Sequence, residues 1–188
     1  MKYRTIIADP PWPQPSGGPD RRAATHGVPS ALPYPTLPLA EIKALPVAEW
    51  ADADAHLYLW TTNHHLESAY AVARSWGFAP STLLTWCKVP KGIGLGGTFS
   101  VSSEFVLFAR RGSLPALRRV ETTWFQWPRG PHSTKPDAFM DLIESVSPGP
   151  YLELFARRNR LGWDTWGNEA LNHIKVAGAA GQEGTSRG

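Results

Sequence analysis

Apolar positions along the chain alternate between runs that suit strands and spacings that suit helices. Tyr3–Ala8 ends in the continuous apolar run Ile6, Ile7, Ala8, which predicts a strand buried on both faces. It stops at Asp9-Pro10-Pro11-Trp12. Residues 13–38 are rich in Pro, Gly and Arg and read as a long irregular loop, a kind of segment that is functional or mobile inside a compact domain. A short helix is expected at Leu39–Ala44 and a second strand at His56–Thr61. Leu66, Ala69, Tyr70, Ala73 and Trp76 then recur at helical spacing, and Gly77 supplies a stop. Ser81–Trp86 and Glu104–Ala109 read as strands, with Thr122–Gln126 a further candidate. Between the first two lies a glycine-rich loop with Gly92, Gly94, Gly96 and Gly97. Thr134 looks like a helix cap, with Pro136 in the first turn and Asp137 three residues on. Phe139, Leu142, Ile143 and Val146 give that helix one apolar face, and Pro148-Gly149-Pro150 ends it. Tyr151–Phe155 is a last predicted strand, with Glu153 inside it, followed by an arginine-rich loop and the segment 162–169.

Strands alternating with helices predict an α/β domain, a mostly parallel central sheet with helices on both faces. Such sheets bind ligands at the carboxyl ends of their strands. Asp9–Trp12 and the run from Arg157 both lie at such ends, which places two distant segments on one rim.

Composition narrows the class. A chain of 188 residues fits one domain with a core that needs no disulfides. One cysteine excludes a disulfide framework and a multi-cysteine zinc site. The first residues do not form a signal peptide, and no run approaches the ~18 apolar residues of a membrane span; a soluble, cytoplasmic protein is expected. Residues 1–175 are read as the domain and 176–188, small and polar, as a disordered tail. The formal charge of +3 permits a nucleic-acid partner without requiring one. Basic residues come in pairs, Arg21-Arg22, Arg110-Arg111, Arg118-Arg119 and Arg157-Arg158, which suit phosphates or simply a solvated surface. Nine tryptophans serve a core or stack on bases.

The tetrapeptide Asp9-Pro10-Pro11-Trp12 carries the chemistry. Two prolines remove two N–H donors and hold the backbone extended, so the loop offers acceptors, the Asp9 carboxylate and the proline carbonyls, beside the flat face of Trp12. That set suits an aromatic amine. The exocyclic amine of adenine is a poor nucleophile because its lone pair is delocalised into the ring. Two acceptors on its hydrogens favour a pyramidal nitrogen with a localised pair, and aligning that pair with an electrophilic methyl group is largely proximity catalysis. A carboxylate also favours the positive charge that builds on nitrogen. The competing reading is a rigid proline turn packed by a tryptophan.

The sequence resembles the adenine-N6 methyltransferase family that includes the eukaryotic messenger-RNA adenine methyltransferase, as a short bacterial or phage-type member. The segments that carry the resemblance, in order, are Ala8–Trp12 (ADPPW), Tyr34–Leu37 (YPTL), Leu57–Asn63 (LYLWTTN), Leu84–Lys88 (LTWCK), His132–Pro136 (HSTKP), Glu153–Arg157 (ELFAR) and Trp166–Glu169 (WGNE). The resemblance implies a Rossmann-like methyltransferase fold of permuted motif order, with S-adenosylmethionine as methyl donor. It implies that Asp9, Pro10, Pro11 and Trp12 hold the target adenine and that Lys135 meets the cofactor carboxylate. Arg157, Asn168 and Glu169 would meet its ribose and adenine. Asp9, Glu153 and Phe155 complete the cofactor set, and Asn63 and Lys88 join Trp12 in the substrate set. The chain departs from the family in starting just before the catalytic strand and in carrying Glu169 where glutamine is common.

The residues themselves agree in part. Lys135 at a helix N-terminus suits an anion, but also reads as an exposed lysine. Glu153 could accept hydrogen bonds at the rim or pair with Arg157, and Asn168 could cap a turn. His26 and Tyr34 could reach a displaced base or its phosphates. Cys87 reads as a buried inert thiol rather than a cytosine-C5 nucleophile. His64 and His65 are adjacent and expected to point apart. The glycine-rich loop lacks the ending of a P-loop and is better read as a closure over nucleic acid. The leading expectation is adenine-N6 methylation of nucleic acid, DNA slightly before RNA because the chain is compact and arginine-rich. Sequence selectivity would be loose or lent by a second copy or a partner subunit. The rivals are methylation of cytosine-N4 or a protein glutamine, whose families resemble Ser-Pro-Pro-Tyr or Asn-Pro-Pro-Tyr, and a non-catalytic nucleic-acid-binding subunit.

Overall fold

The computed structural model describes residues 1–13, 36–89, 98–99, 101–128, 130, 134–167 and 170–174. His26, Tyr34, the glycines at 92, 94, 96 and 97, Asn168, Glu169 and the 176–188 tail lie outside them. The elements run β1 (Tyr3–Ala8), α1 (Leu39–Ala44), α2 (Val47–Trp50), β2 (Ala51–Thr61), a 3-10 turn (Asn63–His65), α3 (Leu66–Ser75), β3 (Ala79–Val89), β4 (Ser103–Arg111), β5 (Trp124–Pro128), α4 (Asp137–Val146), β6 (Tyr151–Leu154) and β7 (Trp163–Trp166). One seven-stranded sheet takes the order β5-β3-β4-β2-β1-β6-β7. The pairs β1–β2, β1–β6, β6–β7 and β3–β5 are parallel. Only β4 runs against its neighbours β2 and β3.

The alternation of side chains across each strand builds two cores. Ile6, Leu57, Leu59, Leu107, Leu152 and Leu154 face Ile42 of α1, Val47 of α2 and Ala69, Val72, Ala73 and Trp76 in and after α3. The indole of Trp76 donates to the Ile42 carbonyl at 3.0 Å, tying α3 to α1. On the other face Ile7, Tyr58, Trp60, Trp86 and Val106 meet Phe139, Met140 and Ile143 of α4. The expected three-layer α/β domain, mostly parallel with helices on both faces, is what forms. Among the described residues no helix is long and apolar enough to cross a membrane.

Several boundaries moved for physical reasons. β2 begins at Ala51 rather than His56, because the ADADA stretch has no apolar run to announce it. There Asp54 accepts the Ser113 N–H at 2.5 Å, gripping the turn at Gly112, whose φ of +62° favours glycine. Helix α4 is capped by Pro136, not Thr134, with no side-chain hydrogen bond at the cap. β7 had no strand signal at four residues, too short to show a period.

Topology fixes where a ligand would lie. From β1 the chain crosses to β2 on one side and later returns to β6 on the other. The carboxyl ends of β1 and β6 therefore form the switch point at which open α/β sheets bind ligands.

Candidate active site

Asp9 follows the last residue of β1 and is held by its own N–H, which donates to the Leu154 carbonyl of β6 at 3.4 Å. The next residues do not stay extended as expected. The Trp12 N–H donates to the Pro10 carbonyl at 2.8 Å, a γ-turn about Pro11. The Pro11 carbonyl accepts the Leu37 N–H at 2.9 Å, tying the loop to the end of the YPTL segment. Pro10 keeps a second acceptor lone pair, while Pro11 is committed to the chain.

Trp12 also differs from an open stacking platform. It is only 9% exposed. Its indole donates to the Trp60 carbonyl at 3.0 Å, and its ring lies against His65, with centroids 5.5 Å apart and planes 12° from parallel. Burial first, and then the charge of His64, pull the His65 pKa down, against a backbone bond to Pro13, so a neutral imidazole covers the indole. His64 and His65 do not point apart; their rings meet edge to face at 5.0 Å. Asn63 is exposed beside them.

The charged centre is a row of four side chains. Lys135, two residues before α4, has its ammonium 3.2 Å from Asp9 Oδ2 and 3.0 Å from Glu104 Oε2. Glu104 also pairs with Lys88. The row is possible because β4 runs antiparallel: its first residues reach the rim where β1 and β3 end. The Lys135 ammonium also lies 4.9 Å from the Trp60 ring centroid and Lys88 5.2 Å from that of Trp86, distances at which a ring face attracts a cation. Burial alone would lower the Lys135 pKa, but Asp9 and Glu104 outweigh it and hold the ammonium above its ordinary value. Burial likewise pushes Glu104 up, and Lys135 and Lys88 bring it below the usual carboxylate range. Lys135 and Glu104 are thus both charged at neutral pH.

Glu104 was missed in the sequence, where it reads as the first residue of an apolar strand. A carboxylate opening the run FVLFA is a signal that it has cationic partners, since a buried charge is tolerated only when paired.

On the β6 side Glu153 stands between Ile7 of β1 and Thr165 of β7. Burial raises its pKa to about 7, opposed by Arg158 and reinforced by Asp9. Phe155 ends the strand at φ +62°, a left-handed conformation that costs a non-glycine residue about 1–3 kcal/mol. The bend lets the Ala156 N–H donate to the Trp166 carbonyl at 3.0 Å and sets the Phe155 ring against Trp166 at 5.3 Å. Arg157 is exposed on the loop beyond. Gly167 packs so closely on this turn that a Cβ there would lie 2.1 Å from the Ala156 carbonyl oxygen. The structure thus gathers Asp9, Lys135, Lys88 and Glu104 into one row along the rim formed by the ends of β1 and β3 and the start of β4. Glu153, Phe155 and Arg157 line the neighbouring strand end. Cys87 is half-buried in β3.

This donor set fits a zwitterionic nucleoside cofactor. It holds an ammonium already poised on carboxylates, a carboxyl that ionises near neutrality, and a glycine that lets two backbones approach closely. S-adenosylmethionine is such a molecule: Lys135 would take its carboxylate, and Asp9, Glu153, Phe155 and Arg157 its ammonium, ribose and adenine.

Comparison with known proteins agrees. The MT-A70 family model matches residues 3–169. The Type II methyltransferase M.MunI of a Mycoplasma species is 34% identical over 186 residues, covering 89% of this chain and 78% of that protein. The N6-methyladenosine RNA methyltransferase MTA1 of Cryphonectria parasitica is 31% identical, over 90% of this chain and 52% of its own length. The N(6)-adenosine-methyltransferase catalytic subunit METTL3 of Homo sapiens is 26% identical, over 89% of this chain and 28% of its own length. With its switch point, its Asp-Pro-Pro-Trp turn and a match over nearly its whole length, the chain belongs to the MT-A70 family of S-adenosylmethionine-dependent methyltransferases.

Proposed function

We propose that the chain methylates the N6 amine of adenine in a nucleic acid, with DNA before RNA as the polymer. The observation that carries the reading is the pair of acceptors at the end of the central strand, the Asp9 carboxylate and the spare lone pair of the Pro10 carbonyl, beside the Lys135 ammonium at 3.2 Å. S-adenosylmethionine, when bound, supplies an electrophilic methyl group on a sulfonium. The chain supplies the rest. Asp9 and Pro10 accept the two amine hydrogens, localise the lone pair and orient it. Asp9 favours the positive charge that builds on nitrogen. Lys135 holds the cofactor end of the site, and Glu104 keeps Lys135 charged and in place. The target base must leave its stack or be single-stranded to reach the turn. Trp12 contributes by fixing the turn through Trp60 and His65, and Asn63 and Lys88 are assigned to the base.

The Asp-Pro-Pro-Trp turn and the named relatives favour adenine over cytosine-N4 or protein glutamine. The intact acidic turn speaks against a non-catalytic subunit. DNA is favoured because the chain is compact and arginine-rich; a Type II methyltransferase and a named RNA methyltransferase are both among its relatives. Labelled S-adenosylmethionine offered with matched DNA and RNA oligonucleotides, single- and double-stranded, tests the reading after digestion to nucleosides. Label in N6-methyldeoxyadenosine is expected. Label in N6-methyladenosine alone would move the substrate to RNA, and label in N4-methylcytosine would overturn the base assignment.

A further inference from the structure

The loop that leaves β6 carries Arg157, Arg158 and Arg160. Two of them turn onto α4, which presents Asp137, Asp141 and Glu144 at spacings of four and three, one stripe along the helix. Arg158 pairs with Asp137. Arg160 Nη2 lies 2.6 Å from Asp141 Oδ1. The same guanidinium grips Glu144 with two bonds, Nε to Oε1 at 2.8 Å and Nη2 to Oε2 at 3.1 Å. Glu144 Oε1 also accepts the Trp163 indole N–H at 2.7 Å. One carboxylate therefore joins helix α4, the loop after β6 and strand β7.

These contacts are unequal. Arg158 and Asp137 are each more than half exposed, and such a pair adds little in water. Arg160 and Glu144 are 26% and 34% exposed and meet through a planar two-bond fork, the geometry that gives an arginine–carboxylate pair its directionality. Trp163 is buried at 4% exposure and stacked on Tyr151 at 4.6 Å, so the third arm of the junction is rigid. The Arg160 hydrogen bond holds the Glu144 carboxyl below its ordinary range, in keeping with a fork charged on both sides.

Its place in the fold gives the junction a role. Lys135 stands two residues before α4, and Arg157 three residues before Arg160. The helix that follows Lys135 and the loop that carries Arg157 are fastened to each other at Glu144 and Arg160. We propose that Glu144 and Arg160 are positioning residues for the cofactor: their fork sets the Arg157 loop against the helix that follows Lys135, and so fixes the spacing between the groups that hold the two ends of S-adenosylmethionine. This rests on the cofactor reading of Lys135 and Arg157 above. Neither positioning residue belongs to the cofactor set named above.

The test measures S-adenosylmethionine affinity by calorimetry on the full chain, together with KM for the cofactor, kcat at saturating cofactor, and thermal unfolding. Arg160→Gln is expected to raise Kd and KM for the cofactor about tenfold, the scale of a slightly misplaced binding group, with kcat at saturation retained. Glu144→Gln keeps an acceptor for Trp163 and should move Kd in the same direction by less. Exchanging the charges, Glu144→Arg with Arg160→Glu, should recover part of the affinity lost in Arg160→Gln. Asp141→Asn, which removes only the exposed arm, should change Kd less than about twofold. A lowered melting temperature with unchanged Kd in Arg160→Gln and Glu144→Gln would show a merely structural pair and overturn the inference. A wild-type chain that binds no S-adenosylmethionine would overturn the cofactor reading, and the inference with it.

Discussion

At the scale of single residues, the account depends on which groups are charged near neutral pH. Glu153 has its pKa raised to about 7 by burial. If it accepts hydrogen bonds from the cofactor, the bound state favours its ionised form, and binding releases a proton. Affinity for S-adenosylmethionine should then rise as pH increases through about 7 and fall below it, by up to about tenfold per unit. Calorimetric Kd values between pH 6 and 8 would show this, and Glu153→Gln should flatten the profile. A wild-type profile as flat as the variant's would remove Glu153 from the cofactor set. Glu104 calls for a second check. Glu104→Gln leaves Lys135 facing Asp9 alone and takes the carboxylate from Lys88, and should lower kcat/KM by about tenfold or more and lower Tm as well. An unchanged kcat/KM would make the row incidental. Asp9 and Lys135 were legible in the sequence because each sits at a recognisable junction, a strand end with two prolines and a helix start. Glu104 was not, because its role comes from β4 running antiparallel, and direction leaves no trace in a hydrophobic pattern.

At the scale of elements, two junctions carry the fold's tolerance to change. His56, fully buried in β2, is bonded through Nδ1 to Ser147 Oγ at 2.7 Å and through Nε2 to the Leu114 carbonyl at 3.0 Å. A carbonyl can only accept, so Nε2 carries the proton and Nδ1 accepts from Ser147. Tyr58 OH shares the same hydroxyl at 2.8 Å, and the Tyr151 hydroxyl donates to the Ser147 carbonyl at 2.9 Å. Removing the shared hydroxyl, Ser147→Ala, strips a buried partner from both His56 and Tyr58 and should cost about 1–3 kcal/mol in urea unfolding. Burial lowers the His56 pKa against its bond to Leu114, helped by the charges of Arg110 and Arg4. The unfolded chain therefore binds the proton more readily. This contribution is intact above about pH 6.5 and lost as pH falls below it; His56→Gln should blunt that loss. The other junction is Gly167, where any side chain meets the Ala156 backbone. Gly167→Ala should push β7 away from the turn after β6, lowering Tm and weakening cofactor binding together. The core runs of β1, α1 and α3 were readable because their apolar spacing is regular. The start of β2 and all of β7 were not, one for want of large apolar residues and the other for want of length.

At the scale of the whole molecule, alternation of strands and helices was enough to foresee a mostly parallel α/β sheet with both faces covered, and the family signature put the Asp-Pro-Pro-Trp turn first. Neither could give the strand order. The switch point exists because β6 and β7 add on the far side of β1, a long-range pairing that no local window contains. Asp9 is brought within 3.2 Å of Lys135 by that return of the chain. The central claim is that the carboxylate at this crossing activates the adenine amine. Its most direct test is methyl transfer from labelled S-adenosylmethionine to an adenine-containing oligonucleotide, wild type beside Asp9→Ala, with nucleoside-resolved products and cofactor binding measured on both. The wild type should give N6-methylated adenine and Asp9→Ala none above background, with cofactor binding partly kept. Full transfer by Asp9→Ala would contradict the claim.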